Sequence, residues 1–227
     1  MQRIKTYEKN IDAMLHGGFP KNSTILLSGP PGTGKTIFSL QTIFNNVKYS
    51  KNNCIYFTFE EKKTSLMEQW EQLFPNNKQE DLKNFEIISI GSEDISKDTI
   101  TEIIDLLTLK KTSLVVIDSI TTLSYVLPSK SSSHENMKHS LKNFLYLFIT
   151  KLKSIENLTS ICISQKEEKD SDVMARYLVD VIIDLEYNSF AGGNSRFISI
   201  KKMRRSSYDE NIFPIQIVDN QGFKLIM

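Results

Sequence analysis

The nine residues Ser28-Gly29-Pro30-Pro31-Gly32-Thr33-Gly34-Lys35-Thr36 meet the spacing G-x-x-x-x-G-K-[ST] through Gly29, Gly34, Lys35 and Thr36. Each residue type answers a need of phosphate binding. Glycines let backbone N–H groups turn inward around an anion, a lysine reaches β- and γ-oxygens, and a threonine hydroxyl ligates Mg²⁺. Gly29, Pro30, Pro31, Gly32, Thr33, Gly34, Lys35 and Thr36 are therefore the expected phosphate-binding residues.

Other side chains could act beside such a loop. Glu60 and Glu61 follow the apolar run Cys54-Ile55-Tyr56-Phe57-Thr58-Phe59. A glutamate at a strand end can orient or deprotonate a water for in-line attack on a γ-phosphate, although two acids there also suit the first turn of a helix. Asp118 ends Ser113-Leu114-Val115-Val116-Ile117 and can serve the metal with Thr36, or cap a helix. Gln165 closes Thr159-Ser160-Ile161-Cys162-Ile163-Ser164, where it can sense the γ-phosphate or end a strand in solvent. Lys201-Lys202-Met203-Arg204-Arg205 gathers four cations in five residues, a solvated face or a nucleic-acid patch.

Elements that would position these groups can be read from hydrophobic periodicity. Thr24–Ser28 has the length and apolarity of a buried strand, and Ile37–Phe44 has helical spacing. Further strands are expected at 54–59, 85–90, 113–119 and 159–163, and further helices at 65–73, about 95–109 and 137–155. Strand and helix alternate, which implies right-handed crossovers and a mainly parallel sheet. A small helix before residue 17 leads to the first strand. Residues 128–136, rich in serine, read as a mobile loop, and 166–172 as a solvated charged loop. Tyr177–Leu185 and Arg196–Lys202 flank Ala191-Gly192-Gly193-Asn194 as a hairpin, and strands near 213–217 and 222–226 complete an antiparallel edge. The expected fold is α/β, one domain over residues 1–227.

Composition bounds the setting. The 227 residues are 40% hydrophobic and 24% charged, with 28 basic against 27 acidic side chains. That balance supports a sizeable core and decides nothing about nucleic acid. Cys54 and Cys162 both lie in strand-like runs and read as core residues in a reducing compartment. The chain has no apolar run of about 18 residues and no signal-peptide core after Met1-Gln2-Arg3-Ile4-Lys5, so a cytoplasmic protein without membrane insertion is expected.

Taken together, Gly17-Gly18-Phe19-Pro20-Lys21, the phosphate loop, Phe57-Thr58-Phe59-Glu60-Glu61, Val116-Ile117-Asp118-Ser119, the Leu178-Val179-Asp180 strand and Lys202-Met203-Arg204 occur in the order of a KaiC-type domain of the RecA superfamily of ATPases, and the chain resembles that family across nearly its whole length. The resemblance implies a RecA-like fold assembled as a homo-oligomeric ring, usually a hexamer, with ATP and Mg²⁺ between subunits. It implies that Lys35 and Thr36 serve the nucleotide in cis, that Glu60 and Glu61 activate water, and that Asp118 supports the metal. Lys202 and Arg204 match the family's Lys-x-Arg that reaches into the neighbouring site. Two positions depart from the pattern: Arg205 stands where a glycine is usual, and Asn10-Ile11-Asp12 replaces Gly-Leu-Asp.

Three functional expectations follow. The first is a slow ATPase whose ring acts on an unidentified protein partner. The second is a nucleotide-occupied switch or scaffold with little turnover. The third is a DNA repair or recombination accessory using loops 129–136 and 166–172, which lack clustered cations and aromatics.

Overall fold

A computed structural model describes residues 2–75, 82–96, 98–126, 134–166, 169–188 and 195–226. Its strands are β1 (Arg3–Ile4), β2 (Phe19–Pro20), β3 (Thr24–Gly29), β4 (Cys54–Thr58), β5 (Phe85–Ser89), β6 (Leu114–Asp118), β7 (Thr159–Gln165), β8 (Val181–Asn188), β9 (Ser195–Met203), β10 (Ile212–Val218) and β11 (Gly222–Leu225). Its helices are α1 (Lys9–Met14), α2 (Lys35–Ser50), α3 (Lys63–Leu73), α4 (Thr99–Leu109), α5 (Ile120–Val126), α6 (His134–Ser154) and α7 (Lys169–Leu178). None of the described helices is long and apolar enough to cross a membrane.

One sheet of nine strands runs β11-β10-β9-β8-β3-β7-β6-β4-β5. The six from β8 to β5 are mutually parallel, while β9, β10 and β11 add antiparallel pairings at one edge. Central strands of such a sheet are covered on both faces and read as continuous apolar runs. In β3, Ile25 and Leu27 join the core beneath α2 and α3, while Leu26 joins the core beneath α4 to α7. That double covering explains why Thr24–Ser28 shows no alternation in the sequence.

Several boundaries differ from expectation. The N-terminal helix is only α1, framed by a β1–β2 ribbon, because Gly17 and Gly18 turn the chain at φ 107° and 112°. A β-carbon on Gly18 would stand 2.4 Å from the Ile4 carbonyl oxygen, so the ribbon closes only over glycine. Ile95 is buried ahead of α4 rather than inside it, held by a turn in which the Ser96 amide donates to Thr99 Oγ1 at 2.9 Å. The charged run is not a loop throughout, since 169–172 form the start of α7 and Asp172 is buried. Tyr177 and Leu178 end that helix instead of opening a strand. The Val179 amide still bonds back to Ala175, and the Asp180 amide then donates to the Thr24 carbonyl and enters the sheet. An apolar helix end fused to an apolar strand hides this break from periodicity.

In the serine-rich stretch, 127–133 lie outside the described residues and the helix is already present at His134. Ala191–Asn194, expected between the two hairpin strands, and Glu167–Glu168 also lie outside them. Cys54 and Cys162 are buried and free, with burial pushing both thiols up, Cys162 to about 12.

Candidate functional site

In an open parallel sheet, ligands gather beyond the carboxyl ends of the strands. Here β3 ends at Gly29 beside Gln165 of β7, and β4 ends at Thr58 beside Asp118 of β6. The phosphate loop arcs from Gly29 into α2. Gly34 occupies the N-cap position at φ 100°, with no side chain accepting the first amides of the helix. The first amides and the positive end of this 16-residue helix are the arrangement that favours an anion.

Steric limits explain the glycines that matter. A β-carbon on Gly29 would come within 2.4 Å of the Leu185 carbonyl oxygen. Gly32 has φ 77° and lies under the Tyr187 hydroxyl. The Lys35 ammonium bonds to the carbonyls of Gly29 and Pro30, both at 2.8 Å, and so spans the loop it must serve. Thr33 Oγ1 donates to the Pro30 carbonyl at 2.9 Å.

The structure brings Thr36 and Asp118 together across 82 residues of sequence, Thr36 Oγ1 donating to Asp118 Oδ2 at 3.3 Å. Tyr56 donates to the same oxygen at 2.5 Å. Burial pushes the Asp118 carboxyl up to about 7, the Tyr56 hydrogen bond opposes this, and the nearby carboxylates Glu60 and Glu61 add to it. A buried acid beside a threonine hydroxyl offers the oxygen donors a hard divalent cation takes, while among the described residues no cluster of three acidic, histidine or cysteine side chains gathers to hold a metal. The Asp118–Ser119 peptide is cis.

Glu60 and Glu61 part company. The Glu60 carboxylate faces β6 and β7, where Ser119 Oγ, Thr122 Oγ1 and Gln165 Nε2 lie at 2.5, 2.6 and 3.4 Å from its Oε1. Glu61 turns back onto α3, accepting from Ser65 Oγ at 3.2 Å and Gln69 Nε2 at 2.6 Å. Its carboxylate thus bonds to α3 side chains from outside the helix, whose first turn (from Lys63) holds no acid, so neither glutamate opens the helix as the second reading had it. Both backbone amides are steered by Thr58 Oγ1, which accepts from Glu60 N and Glu61 N.

Lys202 and Arg204 do not join this constellation. Lys202 pairs with Ile182, which pairs with Leu26, three residues short of Gly29 and two strands away from Lys202. At about 3.3 Å per residue and 4.8 Å per strand, the backbone separation is about 14 Å. The side chain also leaves by the other face: Ile182 belongs to the core beneath α7, opposite α2, and the Lys202 ammonium donates to the Arg176 carbonyl at 2.9 Å. Burial, Arg204 and Lys153 hold that ammonium below its usual range, with Asp180 opposing. Arg204 is exposed, Nη2 donating to the Tyr177 carbonyl at 3.4 Å. The turn that follows is made with Arg205 itself at φ 63°, a conformation glycine adopts more readily.

Several residues at the site escape sequence reasoning. Arg196 donates to the Gly32 carbonyl at 3.2 Å with its guanidinium 5.7 Å from the Tyr187 ring centroid. Beneath the loop, Ser28 donates to Asp172 at 2.7 Å, and Arg176 bonds Asp172 at 2.6 Å and Asp184 at 2.5 Å. Lys166 continues the cluster to Asp184 and Glu186. These pairings join β3, α7 and β8, and no local spacing announces them.

A KaiC ATPase family model matches residues 4–227. The chain is 28% identical to a UPF0273 protein of Pyrococcus horikoshii over 96% of this chain and 92% of that one, and 29% identical to a UPF0273 protein of Thermotoga maritima over 96% and 94%. It is 26% identical to the circadian clock oscillator protein KaiC of Rippkaea orientalis, over 99% of this chain but only 44% of that protein. The crystal structure of a KaiC-like protein from Pyrococcus horikoshii superposes with a TM-score of 0.80 at 19% identity, over 100% and 99% of the two chains.

Proposed function

Because the chain belongs to the KaiC family of P-loop ATPases, with a RecA-like fold, we propose that it binds Mg·ATP on the β3–α2 loop and hydrolyses it slowly in a homo-oligomeric ring, a hexamer, whose sites lie between subunits. The loop amides and Lys35 hold the phosphates, while Thr36 and Asp118 hold the cation. Bound Mg²⁺ would draw charge off the β- and γ-oxygens. Glu60 orients the water that attacks the γ-phosphorus as the bond to the bridging oxygen breaks and ADP departs. Gln165 stands beside Glu60 to meet the γ-phosphate. Lys202 and Arg204 stabilise charge on the phosphoryl group of the neighbouring subunit.

Hydrolysis rests on one observation, the convergence of Lys35 and Thr36 at the start of α2 with Asp118 and Glu60 at the ends of the adjacent strands β6 and β4, one strand removed from β3. A role in trans is supported by the placement of Lys202 on the opposite face and about 14 Å from its own loop. A protein partner extends this reading on the family likeness alone, and a cytoplasmic location extends it on the sequence expectation given above.

Phosphate release from purified protein with Mg·ATP, measured beside its mass by light scattering, tests the proposal. Turnover in a ring-sized species, reduced 10²- to 10⁴-fold by Glu60→Gln with nucleotide binding retained, is the expected result. Nucleotide binding without turnover would replace it with the switch.

A further inference from the structure

We propose that Thr122, together with Ser119, is the positioning device for Glu60, fixing one carboxylate oxygen so that the other addresses the attacking water. The inference rests on the hydrolytic reading above and deepens it. Ser119 immediately precedes α5 and acts as its cap, Ser119 Oγ accepting the Thr122 amide at 3.2 Å. A capping serine is followed three residues later, in the usual reciprocal arrangement, by a Glu or Gln that bonds back to the cap amide. Thr122 holds that position here and does something else: its hydroxyl donates to Glu60 Oε1 at 2.6 Å.

Counting protons settles where the anchor lies. A serine or threonine hydroxyl has one hydrogen to give. Ser119 Oγ is 2.5 Å from Glu60 Oε1 and Thr122 Oγ1 is 2.6 Å from it, so both hydrogens go to that single oxygen. The 3.1 Å approach of the two hydroxyls to each other then carries no hydrogen of its own. Among the described residues, Glu60 Oε2 has one hydrogen-bond donor, Gln165 Nε2, at a long 3.4 Å. Of the two oxygens, Oε1 is doubly and tightly held and Oε2 keeps its lone pairs for another donor. Short hydroxyl–carboxylate bonds of this kind are the strong, directional ones. They come from the N-cap and first turn of a helix seated on β6, whereas Glu60 itself stands on an exposed turn after β4, where Thr58 Oγ1 steers its amide but not its carboxylate. Correct aim of a catalytic group is worth large factors in rate, since misplacement by about 1 Å costs about 10²-fold.

Thr122→Val removes the hydroxyl and keeps the branched shape; Thr122→Ser keeps the hydroxyl. With Mg·ATP and the full chain, we expect Thr122→Val to lower kcat about tenfold or more, with KM, affinity for a fluorescent ATP analogue and melting temperature near those of the unaltered protein. Thr122→Ser should return to within about twofold of it. In the Glu60→Gln background the valine should cause no further loss, because two residues acting as one unit are not additive. Turnover by the unaltered protein with an equally fast Thr122→Val, or a valine effect that persists undiminished on Glu60→Gln, would overturn this inference and leave the ATPase reading standing. An unaltered protein with no turnover would refute both.

Discussion

Asp118 offers the most direct physical test, because its burial has a stability consequence that can be measured without turnover. The carboxyl moves from an ordinary value of 3.8 to about 7 in the folded chain, for which burial is the largest cause. A carboxyl that binds its proton more tightly folded than unfolded destabilises the fold wherever it is ionised. Stability contributed by this residue is therefore complete below about pH 4, falls as pH rises through about 7, and is level above that. At about 1.4 kcal/mol per pH unit the full span is about 4 kcal/mol, and relaxation around the buried charge brings the expectation to about 2–4 kcal/mol. Asp118→Asn keeps the shape and an acceptor for the Tyr56 hydroxyl while removing the charge. Urea unfolding of nucleotide-free protein, at matched concentration, should find the variant more stable by that amount at pH 8 and indistinguishable near pH 4. Taking the difference between the two proteins cancels the titrating groups that do not interact with Asp118. A gap that is the same at both pH values, or a variant that is weaker at pH 8, would refute the reasoning.

Subunits carrying Lys35→Ala, mixed with subunits carrying Lys202→Ala and Arg204→Ala, should recover turnover that neither shows alone. Random assembly gives an intact loop beside an intact finger at about a quarter of the interfaces, and a mixture no faster than its parts would remove the role in trans. Gly29→Ala should cost about 1–3 kcal/mol in urea unfolding, because the new methyl meets the Leu185 carbonyl, backbone against backbone, and neither can give; an unchanged midpoint would show that β3 and β8 can part.

Much of the site was legible because its residues act through local backbone. The phosphate loop is a contiguous motif, and Asp118 and Gln165 each end an apolar run whose burial on both faces marks it as a central strand. What stayed hidden depends on pairing between distant segments. Tyr56 looks like one more apolar strand residue until β6 sets Asp118 beside it, and the Ser28–Asp172–Arg176–Asp184 cluster needs α7 laid across β3 and β8. Thr122 left a faint local trace, three residues after a serine that follows a strand. Glu61 was indistinguishable from Glu60 by type and position, and only the path of α3 separates their directions.

The strand order has a consequence for how the chain is made. β3 carries the phosphate loop yet lies between β7 and β8, which follow it by well over a hundred residues. Until β7 has been delivered, the nucleotide cradle has a helix and a loop but no neighbouring strands to align them. At 5–20 residues per second, the roughly 160 residues between Gly29 and the end of β8 keep that segment unsheltered for about 8–30 s. Its apolar edges must be kept from other nascent chains during that interval, and a nucleotide can be cradled only once β7 and β8 have emerged, when it would hold together a sheet completed by the late strands.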